Sequence, residues 1–262
     1  MESSCSLSLS LSRCRSSSQS RRCCAQPDPT YKWVGPIQTF KLPGATAFVL
    51  NLTSQTWLTD ADFKETSPVK AVWWHQLTVV VPEVLDKELT TGWLWITGGS
   101  NTNHTKPVDT KDSEIAVAGV LAVASHTVCA VLQQIPNEPL QFAVDIPHDP
   151  RLYPQEMRDE DGIIAYTWNH FVLKDNHSPE WLLRMPMTKA VVRAMDAVTD
   201  YAQKSFGVHL EKFVVGGASK RGWTTWTTGV VDKRCAAIVP VVMDLLNLAE
   251  NTGECSNGRF GL

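Results

Sequence analysis

Ser219 is the first residue on which chemistry can be placed. It sits in Gly217-Ala218-Ser219-Lys220-Arg221-Gly222, one residue, Gly216, after the apolar run Phe213-Val214-Val215. A serine on a tight strand-to-helix turn has its hydroxyl thrust clear of the backbone, where a base can take its proton. Glycines beside it let neighbouring backbones close in. The usual spacing is Gly-x-Ser-x-Gly; here Arg221 holds the last position and the glycine follows at Gly222. Serine is also a favoured helix N-cap. The pattern therefore leaves two roles open, nucleophile or cap.

A serine nucleophile needs donors for the oxyanion it creates. Ile96-Thr97-Gly98-Gly99-Ser100-Asn101 places a Gly-Gly turn straight after an apolar stretch. Backbone amides at Gly98 and Gly99, with the amide of Lys220 after the serine, would form such a pocket. An ordinary turn is the other reading of Gly98-Gly99. The acid and histidine that serve such a serine are expected after it in the chain. Asp244, at the end of the apolar run Ile238 to Met243, is the candidate acid, with a structural salt bridge as its alternative. No histidine follows Ser219, and all seven precede it.

Lys220 and Arg221 put two positive charges at a helix N-terminus, which the helix dipole disfavours, and Thr224, Thr225, Thr227 and Thr228 are poor helix formers. Such conflicts mark functional or tightly packed sites. Asp232 or Asp244 is expected to pair with Arg221, an anionic substrate group being the alternative. Asp159-Glu160-Asp161 reads as a solvated face or a helix start, because adjacent carboxylates point apart, with a metal site or acid-base pair as the alternative.

Several elements must position these residues. Ala45 to Leu52, His75 to Val81, Gly92 to Thr97, Cys129 to Gln133, Lys212 to Val215 and Ala236 to Val242 read as strands. Helices are expected from Asp112-Ser113 to about Thr127, from Pro186 to a stop at Gly207, and from the Ser219 turn to about Val230. Strands alternating with helices predict an α/β fold with a mostly parallel sheet covered on both faces, ending after about the sixth strand. The serine turn then lies at the carboxyl end of a central strand, where α/β sheets place their sites. Residues 1–28, rich in Ser, Arg and Cys, are set apart as a leader, and residues 29–262 form the domain. Within it, 142–180 carries Pro147, Pro150, Pro154 and Pro179 and reads as a lid-like insertion.

Composition narrows the function classes. At 262 residues with 43% hydrophobic and 19% charged residues, the chain can bury one substantial core. A net charge of -3 gives no general attraction to nucleic acid or acidic membranes. No run of 18 apolar residues offers a membrane span. The seven cysteines show no zinc spacing. No metal and no cofactor is expected. Most of the ten tryptophans are expected to be structural.

From Tyr31 onward the chain resembles the PhoPQ-activated pathogenicity-related protein family. The resemblance rests on Leu52-Thr53-Ser54-Gln55-Thr56-Trp57, Trp73-Trp74-His75, Pro136-Asn137-Glu138-Pro139-Leu140 and Glu160-Asp161-Gly162-Ile163-Ile164-Ala165-Tyr166-Thr167-Trp168. It continues through Pro186-Met187-Thr188-Lys189-Ala190, Arg193-Ala194-Met195-Asp196, Gly217 to Trp226, and Pro240 to Asn247. It implies an α/β-hydrolase-like domain, exported from the cell, with Ser219 as nucleophile and a peptide or ester as substrate. Members of the eukaryotic branch are associated with restraint of cell proliferation, which implies a cell-surface receptor as the alternative partner. Family members run longer, so the chain is expected to be a fragment or short form, inactive alone. It carries no convincing signal peptide.

Overall fold

The computed structural model describes residues 27–103, 106–144, 157–173 and 177–243. Seven strands form one sheet: β1 (Lys32–Leu42), β2 (Ala45–Thr56), β3 (Val72–Pro82), β4 (Thr91–Ile96), β5 (Cys129–Leu132), β6 (Lys212–Ala218) and β7 (Cys235–Val241). Four helices accompany them: α1 (Ser113–Ser125), α2 (Glu160–Leu173), α3 (Arg184–Phe206) and α4 (Lys220–Val231). The strands run in the order β1-β2-β3-β5-β4-β6-β7.

The α/β class holds, and the expectation of a mostly parallel sheet needs correction. β1–β2, β2–β3 and β3–β5 pair antiparallel, while β5–β4, β4–β6 and β6–β7 are parallel. Gly44, at φ 71°, closes a tight reversal between β1 and β2, and a connection that short permits only antiparallel pairing. β1 carries no strand signal in the sequence because its residues are mostly exposed and Gly35-Pro36 interrupts it. Those two lie in a register break between Val34 and Gln38, which an edge strand tolerates.

Period-two alternation sends side chains to two cores. Leu50, Leu52, Leu77, Val79, Leu94, Ile96, Leu132, Phe213 and Val215 face one side, where α3 lays Met187, Val191, Ala194, Met195 and Val198 against them. Ala47, Val49, Val80, Cys129 and Val131 face the other, under Ile115, Ala118 and Ala122 of α1. Asp112 caps α1 by accepting from the Glu114 and Ile115 amides, as its position suggests. Gly207, in the left-handed region, ends α3. α4 packs on α3, β6 and β7. Beside α1, part of the sheet stays open: a cavity of about 290 Å³ is lined by Trp93, Trp95, Val117, Leu121, Gly216 and Val239.

The described part of 142–180, expected as a lid-like excursion, contributes to the core. Phe142 stacks on Tyr166 with centroids 3.8 Å apart, and Phe63, Trp57 and Trp73 extend the cluster. Ile163 is fully buried. This packing fixes α2 and so fixes Glu160 at its start.

Asp28, placed by sequence at the end of the leader, is bound into the fold. Its carboxylate accepts from Lys189 Nζ at 2.8 Å and from the Thr30 and Thr56 amides. Burial opposes its ionisation, yet these hydrogen bonds, led by Lys189, hold its pKa at about 2. A carboxylate depressed in this way stabilises the fold above its unfolded pKa, and the contribution fades as pH falls toward 2. Asp28→Ala is expected to lower stability by about 2 kcal/mol at neutral pH, measured by urea unfolding.

Candidate active site

β6 runs between β4 and β7 and delivers Ser219 to the carboxyl end of the sheet. Ser219 adopts φ 54°, ψ −121°, a region L-residues rarely occupy. Two backbone bonds hold it there: its amide donates to Val241 at 2.9 Å, and its carbonyl accepts from the Trp223 amide at 3.1 Å. Its side chain makes no capping hydrogen bond to α4, although it stands at the N-cap position. The residue is exposed. The capping role is thereby excluded, and what stands is a strained strand-to-helix turn that presents a hydroxyl to solvent.

The glycines around the turn are needed for close approach. A Cβ on Gly216 would lie 2.8 Å from the Trp95 ring, and one on Gly217 would lie 2.9 Å from the carbonyl oxygen of Arg221. The displaced Gly222 has its own reason: a Cβ there would meet Met243 Cβ at 2.7 Å and the Val241 carbonyl at 2.9 Å. At this position α4 rests on the end of β7. The threonines of α4 turn their hydroxyls back onto its own carbonyls, Thr225 to Arg221 at 2.8 Å and Thr228 to Thr224 at 2.7 Å.

The Gly98-Gly99 turn follows β4 and lies beside the elbow. The Gly98 carbonyl accepts from the Gln134 amide at 2.8 Å, and Gly99, at φ 129°, adopts a conformation that favours glycine. Buried Asn101 ties the turn down, its side chain donating to the Trp74 carbonyl at 2.9 Å and its amide donating to the Glu138 carbonyl at 2.7 Å. The other face of Gly98 has a partner the sequence did not suggest. A Cβ there would stand 2.4 Å from Nη2 of Arg221.

Arg221 pairs with Glu160, which corrects the expected pairing with Asp232. Its Nη1 donates to Glu160 Oε2 at 3.0 Å, Nη2 donates to Glu160 Oε1, and Nε donates to the Ile135 carbonyl at 2.5 Å. Asp232 is taken by Arg234, at 2.8 Å. Lys220 Nζ lies 2.8 Å from Glu160 Oε2 and 3.2 Å from Asp161 Oδ2. One carboxylate thus answers both cations at the start of α4; Asp159-Glu160-Asp161 opens α2, as the helix-start reading expects, and is more than a solvated face. Burial works against Glu160 ionising, but hydrogen bonds from Arg221 and Lys220 outweigh it and hold its pKa below the usual value. Glu138, 6% exposed, accepts from the Glu160 amide at 2.7 Å. Burial pushes Glu138 up to about 7. Arg184 donates to the Lys220 carbonyl at 2.9 Å and lies over the Trp223 ring at 4.2 Å.

Glu160 had a reading in the sequence only as part of an acidic cluster, and Glu138 and Arg184 carried no signal of a role. The signal for Glu160 was the unanswered Lys220-Arg221 pair, which required a carboxylate from elsewhere. Asp244 lies outside the described residues, as do His104 and His148. Among the described histidines none bonds the Ser219 hydroxyl. His75 bonds Ser54 Oγ at 2.9 Å, and both residues are fully buried, beyond the reach of a substrate.

The family model of the PhoPQ-activated pathogenicity-related protein matches residues 21–260. The chain belongs to this family. A relative, autocrine proliferation repressor protein A of Dictyostelium discoideum, is 42% identical over 228 residues, which is 87% of this chain and 41% of that protein. The chain therefore spans less than half the length of the curated relative it matches. Among solved structures, acetyl xylan esterase 1 from Thermoanaerobacterium aligns over 94% of this chain and 67% of its own, at a TM-score of 0.51 and 11% identity. That likeness extends the α/β-hydrolase fold to this PhoPQ-related chain and nothing finer. Within the described residues no helix is long and apolar enough to cross a membrane.

Proposed function

We propose that the full-length protein is a serine hydrolase acting on peptide or ester bonds, with Ser219 as nucleophile. The conformation of Ser219 carries the reading: a strained residue at the carboxyl end of β6 whose exposed hydroxyl caps nothing. Ser219 Oγ attacks the substrate carbonyl and gives its proton to a base. The carbonyl oxygen becomes an oxyanion that accepts from the Lys220 amide and from amides of the Gly98-Gly99 turn. Collapse expels an amine or alcohol, which takes the proton, and leaves an acyl-serine for water to hydrolyse. The base and the acid that orients it belong to this proposal without a described residue to fill them, with Asp244 as the candidate acid.

A fluorophosphonate probe should label the full-length protein on Ser219, and Ser219→Ala should abolish the label. A folded wild-type protein that takes up no probe would remove the reading.

A second reading is favoured by the 42% identity to a protein named for repressing proliferation. Here the protein is secreted and keeps the hydrolase fold, but it acts by binding a cell-surface receptor, with Ser219 structural. The two readings part on one measurement: Ser219→Ala leaves any effect on proliferation unchanged under the second and removes it under the first.

A further inference from the structure

The Arg221 guanidinium is held on every side by a different part of the chain. Nε reaches the carbonyl of Ile135, beyond β5, and both terminal nitrogens grip Glu160 at the start of α2. Its plane lies where a side chain on Gly98 would be, so that a Cβ there would be 2.4 Å from Nη2 and 2.9 Å from Cζ. The residue that gathers these segments stands two positions after Ser219. Glu160 is itself fixed twice more, through its amide on Glu138 Oε2 at 2.7 Å and through Lys220 Nζ at 2.8 Å.

An exposed ion pair adds little to a fold. This one is mostly enclosed, with the Arg221 side chain 12% exposed, and uses a planar fork that a lysine cannot reproduce. Its position is also specific. The turn that would supply oxyanion donors gives up a side chain at Gly98 so that the guanidinium can lie against it. We propose that Arg221 and Glu160 are positioning residues of the Ser219 site, a latch that sets the distance between the Gly98-Gly99 turn and the elbow. The inference rests on the serine-hydrolase reading and deepens it. Without the latch the turn loses its stop against the elbow, and a shift of about 1 Å in a catalytic donor costs on the order of 100-fold in rate.

The test is the rate constant of fluorophosphonate labelling in full-length protein, with a melting curve for each variant. Arg221→Gln is expected to slow labelling about 100-fold and Arg221→Lys, which keeps the charge without the fork, about 10-fold. Gly98→Ala, which drives the guanidinium away while leaving Arg221 in the sequence, should slow it as much as Arg221→Gln. Combining the two should slow it no further, because both remove one contact. That absence of a further loss is what general destabilisation would not produce. If Arg221→Gln fails to fold, Arg221→Lys and Gly98→Ala carry the comparison. Labelling of Arg221→Gln within twofold of wild type, or losses that multiply in the double variant, would overturn the latch and leave the hydrolase reading intact. An unlabelled wild type would overturn that reading and the latch with it.

Discussion

Gly222→Val should cost about 3 kcal/mol of stability and take the elbow apart, because α4 has nowhere to put a side chain at that position. Two of the atoms a Cβ would meet are the Val241 carbonyl at 2.9 Å and the Gly217 carbonyl at 3.2 Å, and backbone cannot swing aside as a lysine tip can. The helix must lift off β7. Lifting it pulls on the bond from the Ser219 amide to Val241, one of the two that hold the serine in its strained conformation. Probe labelling should therefore disappear along with the stability. Gly222→Ala should show the same effect in smaller measure. Gly162→Ala in α2 is the internal control, since its Cβ would find only ordinary contact with Arg158 at 3.6 Å. That variant should gain about 0.5 to 1 kcal/mol from reduced freedom of the unfolded chain. Urea unfolding of the three proteins decides the matter; a Gly222→Val protein as stable as wild type would mean that α4 does not sit against β7 in this way.

Glu138→Gln should become more stable than wild type as pH rises, by about 3 kcal/mol above pH 7 relative to the difference at pH 4.5. Burial raises the Glu138 pKa from 4.5 to about 7, so the folded state holds a proton that the unfolded state releases. The stability this gives is complete below the unfolded value and is lost as pH climbs through the folded one. Glutamine keeps an oxygen for the Glu160 amide and has no proton to lose. His75 works in the opposite sense. Burial lowers its pKa from 6.5 to about 4, so its neutral form favours the fold above the unfolded value, and that contribution is lost as pH falls through the folded one. Between about pH 4.5 and 6.5 the two slopes oppose each other. Wild type should accordingly show little pH dependence from this pair there, and Glu138→Gln should expose the His75 slope alone. Parallel stability curves for wild type and Glu138→Gln between pH 4.5 and 8 would show that Glu138 titrates as an ordinary surface acid.

The path from β6 through Ser219 into α4 was legible because it is local. An apolar run, small residues and a serine are contiguous, and their order dictates the turn. α3 was legible for the same reason: its apolar positions repeat on one face, and Gly207 can end it where few other residues could. What the sequence hid depends on distance along the chain. Arg221 and Glu160 are 61 residues apart, and nothing in either neighbourhood names the other; only the charge conflict at the start of α4 showed that some carboxylate was owed. Gly98 was read for its amides, whereas its missing side chain also serves the guanidinium, a fact invisible until the two segments meet. Strand direction was misjudged because alternation of strands and helices describes only the half of the sheet from β5 to β7. β1, broken by Gly35-Pro36 and without regular alternation of apolar residues, left no pattern from which its antiparallel partnership could be read.

The backbone of Ser219 carries a further implication, one about inheritance. At φ 54° and ψ −121° a serine is held against its own preference, at a cost on the order of 1 to 3 kcal/mol that glycine would avoid. Mutation unconstrained except by the need to fold would therefore tend to replace the serine with glycine. A lineage that has no use for the hydroxyl should drift to glycine at this position, and one that needs it should not. Comparing position 219 across descendants of this gene thus offers a record of whether the hydroxyl has been in use, kept independently of any assay.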